Sequence, residues 1–182
     1  QWVNNYIFDQ PTGRNITVVS GAYPVFQYRQ TRAFFQGVDL DAHIRPISAL
    51  DYHLVSAMIW ARELPSHTYL PYIPSFRLTQ SLTWKLPVWK ALQPKISLNH
   101  RFVAKQTRFN PATDLIPFTP AAYHLMGFEA SLSVPMREGM SLRMSLMGDN
   151  ILNHEYKEYT NRSRYYAHDM GRDVRFIITW NF

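Results

Sequence analysis

Apolar and polar residues alternate along this chain in short runs, and the last run shows the pattern most clearly. Between residues 173 and 182, Val174, Phe176, Ile178, Trp180 and Phe182 fall on one side of an extended strand. Asp173, Arg175, Ile177, Thr179 and Asn181 fall on the other, because successive strand side chains point to opposite faces. The apolar side closes on Trp180 and Phe182 with no polar tail. Ends of water-soluble domains are usually solvated. An aromatic end suits a strand whose apolar face meets lipid and whose rings sit at the membrane boundary.

The same period of two recurs along the chain. Residues 2–8 form a short first strand, followed by a long polar break over 9–22. Residues 23–44 are extended, with Val38, Leu40, Ala42 and Ile44 opposed to Gly37, Asp39, Asp41 and His43, and Arg45-Pro46 ends the run. A third strand covers 52–62, with Leu54, Met58 and Trp60 on one face. After a proline-bearing break, Phe76, Leu78, Leu82, Trp84 and Leu86 line the apolar side of a fourth strand, opposite Arg77, Thr79, Ser81, Thr83 and Lys85. A turn over 87–94 leads to a fifth, in which Ile96, Leu98, Phe102 and Ala104 alternate with Lys95, Ser97, Asn99, Arg101 and Lys105. The polar break 107–120 precedes a sixth strand carrying Met126, Phe128, Ala130, Leu132 and Val134, and a tight turn over 135–139 leads to a seventh with Leu142, Met144 and Leu146. The break 149–171 separates it from the last strand.

Eight segments result, joined by alternately long and short breaks. That asymmetry is the outer-membrane pattern of short periplasmic turns and long external loops. The polar sides carry Asp39, Asp41, Arg77, Lys85, Lys95, Arg101, Glu129, Arg143 and Arg175. Such a set cannot form a dry core, because unpaired buried charge is too costly. It fits a wet lumen or a surface against another polar domain. A soluble β-sandwich with its charges outside gives the same alternation and stays open on pattern alone.

Composition narrows the function classes. The 182 residues suffice for one domain or a substantial part of one. Without cysteine there is no disulfide framework, thiolate metal site or cysteine nucleophile. No run approaches the roughly 20 apolar residues of a membrane-spanning helix, which excludes an α-helical membrane protein and leaves a barrel possible. A net charge of +6 raises the question of nucleic acid, but the Lys and Arg residues are scattered singly. Gln1-Trp2-Val3-Asn4 has neither a basic n-region nor an apolar h-region. The chain therefore reads as a processed protein or as a piece of a longer one.

Three segments resemble the C-terminal part of the barrel of TonB-dependent outer-membrane receptors. Thr31-Arg32-Ala33-Phe34-Phe35-Gln36-Gly37-Val38-Asp39-Leu40-Asp41 followed by Arg45-Pro46 is similar to the family's Ala-Arg…Gly-Val-Glu-Leu-Glu…Arg-Pro strand and turn, with Asp at both acidic positions. Gly148-Asp149-Asn150-Ile151-Leu152-Asn153-His154-Glu155-Tyr156 is similar to the Asp-Asn-Leu-Phe-Asn…Tyr segment, with Ile-Leu for Leu-Phe. Gly171-Arg172 leading into a strand that ends on Phe182 looks like the family's C-terminus.

The resemblance implies a transmembrane antiparallel β-barrel of about 22 strands, with residues 1–182 as its last eight strands. It implies an N-terminal plug and a TonB-binding segment that this sequence does not contain, and a place in the outer membrane of a Gram-negative bacterium. It also implies energised import of a scarce nutrient caught by the external loops, with TonB as partner. Asn4-Asn5-Tyr6-Ile7-Phe8 and Pro24-Val25-Phe26-Gln27-Tyr28 look most like members that take up iron chelates such as siderophores, haem or related metal complexes. Phe176, Ile178, Trp180 and Phe182 resemble the terminal signal by which such barrels are recognised for assembly. A self-contained eight-stranded barrel with a structural, adhesive or lipid-modifying role is the alternative.

No enzyme constellation is present: the sequence has no Gly-rich phosphate loop, Gly-x-Ser-x-Gly or His-Glu-x-x-His. Neither a resident cofactor nor a protein metal site is expected. The substrate candidates lie in or near external loops: His67, His154, Tyr165, Tyr166, His168 and Arg172. Imidazole and phenolate can meet a metal complex, while Tyr and His are also ordinary loop and interface residues. The inward basic residues can attract an anionic chelate or pair with acidic residues of the plug, the commoner role for such residues, and Arg172 and Arg175 are better placed for substrate than Arg143. Trp60, Trp84 and Trp180 read as membrane-boundary or lipid-facing residues.

Overall fold

The computed structural model of the chain describes residues 1–88, 91–136 and 139–182. Its eight strands are β1 (Trp2–Val18), β2 (Gly21–Ile47), β3 (Leu50–Glu63), β4 (Arg77–Lys85), β5 (Gln93–Val103), β6 (Tyr123–Pro135), β7 (Ser141–Asp149) and β8 (Asp173–Asn181). They form one antiparallel sheet in sequence order, with β1 and β8 as its edges. The sheet is open, so the eight strands do not close on themselves as a small barrel would. Among the described residues no helix is long and apolar enough to cross a membrane, which bears on helical spans alone.

Register fixes which side chains share a face, since directly opposed residues of an antiparallel pair lie side by side. Asp39 opposes Ala57, which opposes Arg77, and Arg77 opposes Val103. Further along, Lys85 opposes Lys95, Lys95 opposes Ser131, Ser133 opposes Arg143, and Glu129 and Arg175 both oppose Met147. Every charge assigned to the polar side from the sequence therefore sits on one continuous face. The opposite face carries Leu40, Trp84, Leu98, Phe176, Ile178 and Trp180, all half exposed or more. A large solvent-facing apolar surface of this kind marks contact with lipid or with another molecule.

A polar row crosses that apolar face. Gln80 and His100 oppose each other, and Tyr52 donates to Gln80 Oε1 at 2.6 Å. The Gln80 amide nitrogen lies 3.0 Å from His100 Nδ1, and His100 Nε2 lies 3.0 Å from His124 Nδ1. Only the Gln80 nitrogen can donate in the first of these contacts, which leaves the His100 proton on Nε2 to donate to His124. The row satisfies itself internally, which lowers the cost of placing it on an apolar surface.

One expectation is corrected. Residues 9–22 are not a long loop: β1 runs on to Val18 and β2 resumes at Gly21. Register breaks between Pro11 and Asn15, and this bulge absorbs Pro11 together with Gly13 at φ +74°. Beyond it, Asn15, Ile16, Thr17 and Val18 pair with Pro24, Tyr23, Ala22 and Gly21, as suits the β-branched run Ile16-Thr17-Val18. β5 also starts earlier than expected, at Gln93. The expected turns over 87–94 and 135–139 include residues 89, 90, 137 and 138, which lie outside the described residues.

Candidate functional site

The long connections 64–76, 104–122 and 150–172 all emerge at one end of the sheet and turn back over its polar face. Near the strand ends that face becomes apolar, giving the connections something to pack on. Phe8, Ala33 and Ala61 are buried with Leu70 and Ile73 of the β3–β4 connection. Val103, Tyr123 and Leu125 are buried under Tyr156 of the β7–β8 connection, with the Tyr123 and Tyr156 ring centroids 4.5 Å apart.

Polar contacts then tie the connections to one another. Asp114 and Arg164 form a 2.5 Å ion pair with side chains 1% and 0% exposed. Tyr165 donates to the same carboxylate at 2.7 Å, and its hydroxyl lies 3.1 Å from that of Tyr72. Arg164 also donates to the Tyr159 carbonyl and stacks over the Tyr159 and Tyr165 rings. The Gln106 amide donates to the Ile73 carbonyl at 2.6 Å, while the Gln106 carbonyl accepts from Thr119. Glu158 accepts from Tyr123 at 2.8 Å and pairs with Arg77 on the sheet. Arg162 pairs with Asp9 of β1. Burial, followed by the hydrogen bonds to Tyr72 and Asp114, pushes the Tyr165 hydroxyl well above the ordinary tyrosine range. Burial and the Asp114 carboxylate push Tyr159 up to about 12.

Asn150 and Asn153 start the β7–β8 connection, at φ +46° and +52°, a region that asparagine tolerates better than most residues. The Asn150 side chain accepts from the His154 N–H at 2.9 Å and donates to the His154 carbonyl at 2.9 Å. Asn153 accepts from the Arg172 N–H at 2.9 Å. The local Asp-Asn-Ile-Leu-Asn sequence is thus a folding device that sets where the connection leaves and rejoins the sheet.

Under the connections lies a cavity of about 360 Å³, bounded on the sheet by Thr79, Asn99, Arg101 and Arg175 and above by Tyr156 and Met170. Arg175 is paired with Asp149 and Asp173. Asp149 and Asp173 also line the cavity, so its two arginines and two aspartates balance in formal charge, but among the described residues Arg101 meets no carboxylate within 4 Å. A second cavity of about 180 Å³ is lined by Tyr123, His154, Glu155, Tyr156 and His168.

The sequence candidates divide accordingly. His154 and His168 come together in the second cavity. Tyr165 is spent on the Asp114 contact, and Tyr166 stands exposed beside it. His67 projects from the β3–β4 connection at φ +55°, exposed. Arg172 is exposed at the rim. Among the described residues no group of three or more His, Cys, Asp or Glu is arranged to hold a metal ion. Asp114, Arg164, Glu158 and Tyr72 were not singled out from the sequence. Their partners are 35 to 93 residues away, and the only local sign was charge and tyrosine inside otherwise featureless polar breaks.

Taken together, the fold is an all-antiparallel eight-stranded sheet of the kind that makes up part of a larger outer-membrane β-barrel. One solved structure that it resembles is the copper transporter OprC, with a TM-score of 0.70 at 17% identity, over 98% of this chain and 26% of that one. The chain thus spans about a quarter of that transporter's length, and the likeness is one of fold. No family model matches the sequence, and no curated protein matches it.

Proposed function

We propose that this chain is the C-terminal portion of a TonB-dependent outer-membrane transporter. In this reading its strands are the last eight of a barrel of about 22, and an N-terminal plug outside this sequence couples it to TonB. The cargo is a small, scarce nutrient, best read as an iron–siderophore, haem or other metal complex. The observation that carries the reading is the two-faced sheet, charged on one side and apolar on the other, whose fold matches a transporter over 98% of the chain. Copper in that transporter's name speaks for a metal cargo. Arg101 lines the larger cavity with no carboxylate within 4 Å among the described residues, so its guanidinium is open to an anionic group of such a complex.

Contacts to the cargo are assigned to His154 and His168 in the second cavity, with His67, Tyr166 and Arg172 at the exposed rim and Tyr165 holding the connections in place. The role is transport, not catalysis. Phe176, Ile178 and Trp180 on β8 and Phe182 just after it, all strongly exposed, are assigned to barrel assembly through contact with lipid and assembly machinery. The test is uptake by metal-starved cells that express the whole receptor, supplied in turn with a ferric siderophore, haem and a copper complex. Uptake of one of these that stops when TonB is deleted is expected. Uptake that survives TonB deletion, or a receptor inert to all three while assembled at the surface, would overturn the reading.

A further inference from the structure

At the loop end, the apolar face changes character. Arg62 opposes Phe34 and so shares that face with Trp60, which opposes Gln36. Arg32 lies on the same face, two residues before Phe34, where its carbonyl accepts from the Leu64 N–H at 2.9 Å. The Arg62 guanidinium stacks over Tyr69 at 5.0 Å and donates to the Tyr69 hydroxyl at 3.2 Å. Arg108, from the β5–β6 connection, reaches across to stack over Trp60 at 5.2 Å. Its Nε is shielded from solvent and has no hydrogen-bond partner. Among the described residues none of these three arginines meets a carboxylate within 4 Å. Trp2 and Phe34, ring centroids 4.7 Å apart, continue the aromatic band alongside.

This is an unusual place for three unpaired cations. Most of the other described arginines are matched, among them Arg29 with Glu63, Arg77 with Glu158, Arg143 with Glu129 and Arg164 with Asp114, while Arg14, Arg101 and Arg172 are not. Those pairs lie on the polar face or in the connections, whereas Arg32, Arg62 and Arg108 gather on the apolar one. With no carboxylate of the described residues within 4 Å, an anion from outside the chain would meet no competing partner at these guanidiniums. Two of the guanidiniums are held by aromatic rings, so little side-chain freedom is left to lose on binding.

We propose that Arg32, Arg62 and Arg108 bind the phosphate groups of an anionic lipid in the outer leaflet of the membrane. Guanidinium forks match phosphate oxygens in pairs. Trp and Tyr at the same level place the cluster at the height of lipid headgroups, and the apolar strand surface below, including Val38, Leu40 and Leu82, receives the acyl chains. The inference depends on the outer-membrane placement proposed above.

The experiment uses the whole receptor purified in detergent. Binding of bis-phosphorylated lipid A, of enzymatically dephosphorylated lipid A and of inorganic phosphate is compared by native mass spectrometry and by competition. Phosphorylated lipid should bind, dephosphorylated lipid should bind far more weakly, and millimolar inorganic phosphate should not displace the lipid. Each neutralised arginine, as in R62Q, R108Q and R32Q, should weaken binding about fivefold, with R62K/R108K retaining part of it. The wild-type comparison of the two lipids stands even where a variant assembles poorly. Equal binding of the two lipids, or displacement by inorganic phosphate, overturns the site. A receptor in the outer-membrane fraction without phosphate discrimination overturns the lipid site alone, and a receptor missing from that fraction overturns the placement as well.

Discussion

The connections next to the two edge strands are built on opposite principles. Between β1 and β2 the chain leaves the sheet as a two-stranded ribbon, exposed from Gly13 to Tyr23 and held by backbone pairing. Between β7 and β8 it folds back on the polar face, and side chains from distant segments hold it. Arg164 is fully buried there, tied to Asp114, while Glu158 is tied to Tyr123 and Arg77. A ribbon of this kind depends on no single side chain. The folded connection depends on a few, because each buried polar group must keep its partner. Among the described residues the two meet at Arg162, which pairs with Asp9 and lies over the Phe26 ring. Damage to either should therefore stay largely on its own side.

Substitutions can test that separation. Asp114→Ala leaves Arg164 buried without its counter-charge, which costs about 3–5 kcal/mol. Hydrogen exchange and limited proteolysis should show 104–122 and 150–172 opening together, with 9–22 unchanged. A matching increase in the ribbon would mean the two regions are one cooperative unit. Alkali should act on the same side. Tyr159 titrates near 12 when docked, against about 10 when free. Its neutral form is the docked one, so docking is fully supported below pH 10. A contribution on the order of 2 kcal/mol fades as pH rises from there toward 12. Tyr165, also shifted upward, adds to the effect. A proteolysis midpoint for the connection that ignores pH between 9 and 12 would contradict this.

Asn150→Ala removes a side chain that both accepts from and donates to the His154 backbone, at φ +46°. About 1–2 kcal/mol of docking should be lost, read as faster exchange in 150–172. Smallest is Gly13→Ala. The added Cβ would meet nothing within 4 Å, and the cost is that of φ +74° alone, roughly 1 kcal/mol. Only the ribbon should loosen, and an effect on the β7–β8 connection would contradict the separation.

Alternation made the sheet legible. Because the period of a strand is two, the charges from Asp39 to Arg175 could be placed on one side before any pairing was known, and the register puts them there. What carried no period was hidden. The ribbon looked like a loop because Pro11-Thr12-Gly13 interrupts it, and a bulge that absorbs an interruption leaves no mark in the pattern. Gln80 and His100 showed only as gaps in two apolar stripes; nothing local says that the gaps adjoin and connect to Tyr52 and His124. His154 and His168 were picked out by residue type, and the fold brings them to one cavity. Asp114 and Arg164 were not, since a buried pair 50 residues apart is specified by the fold and not by its neighbours.

The central claim is that one sheet separates two solvents, and with no cysteine in these 182 residues single cysteines placed on either face can measure it. Leu82 and Leu98 oppose each other on the apolar face, and Thr83 and Ser97, with hydroxyls 2.8 Å apart, oppose each other on the polar one. Single cysteines at these positions in the whole protein, in membranes, should divide cleanly. Those at 83 and 97 should react with a water-soluble maleimide. Those at 82 and 98, once fluorescently labelled, should be quenched by nitroxide carried on lipid chains. Equal reaction of all four with the water-soluble reagent, and no quenching from lipid, would show a sheet wet on both sides and contradict the account.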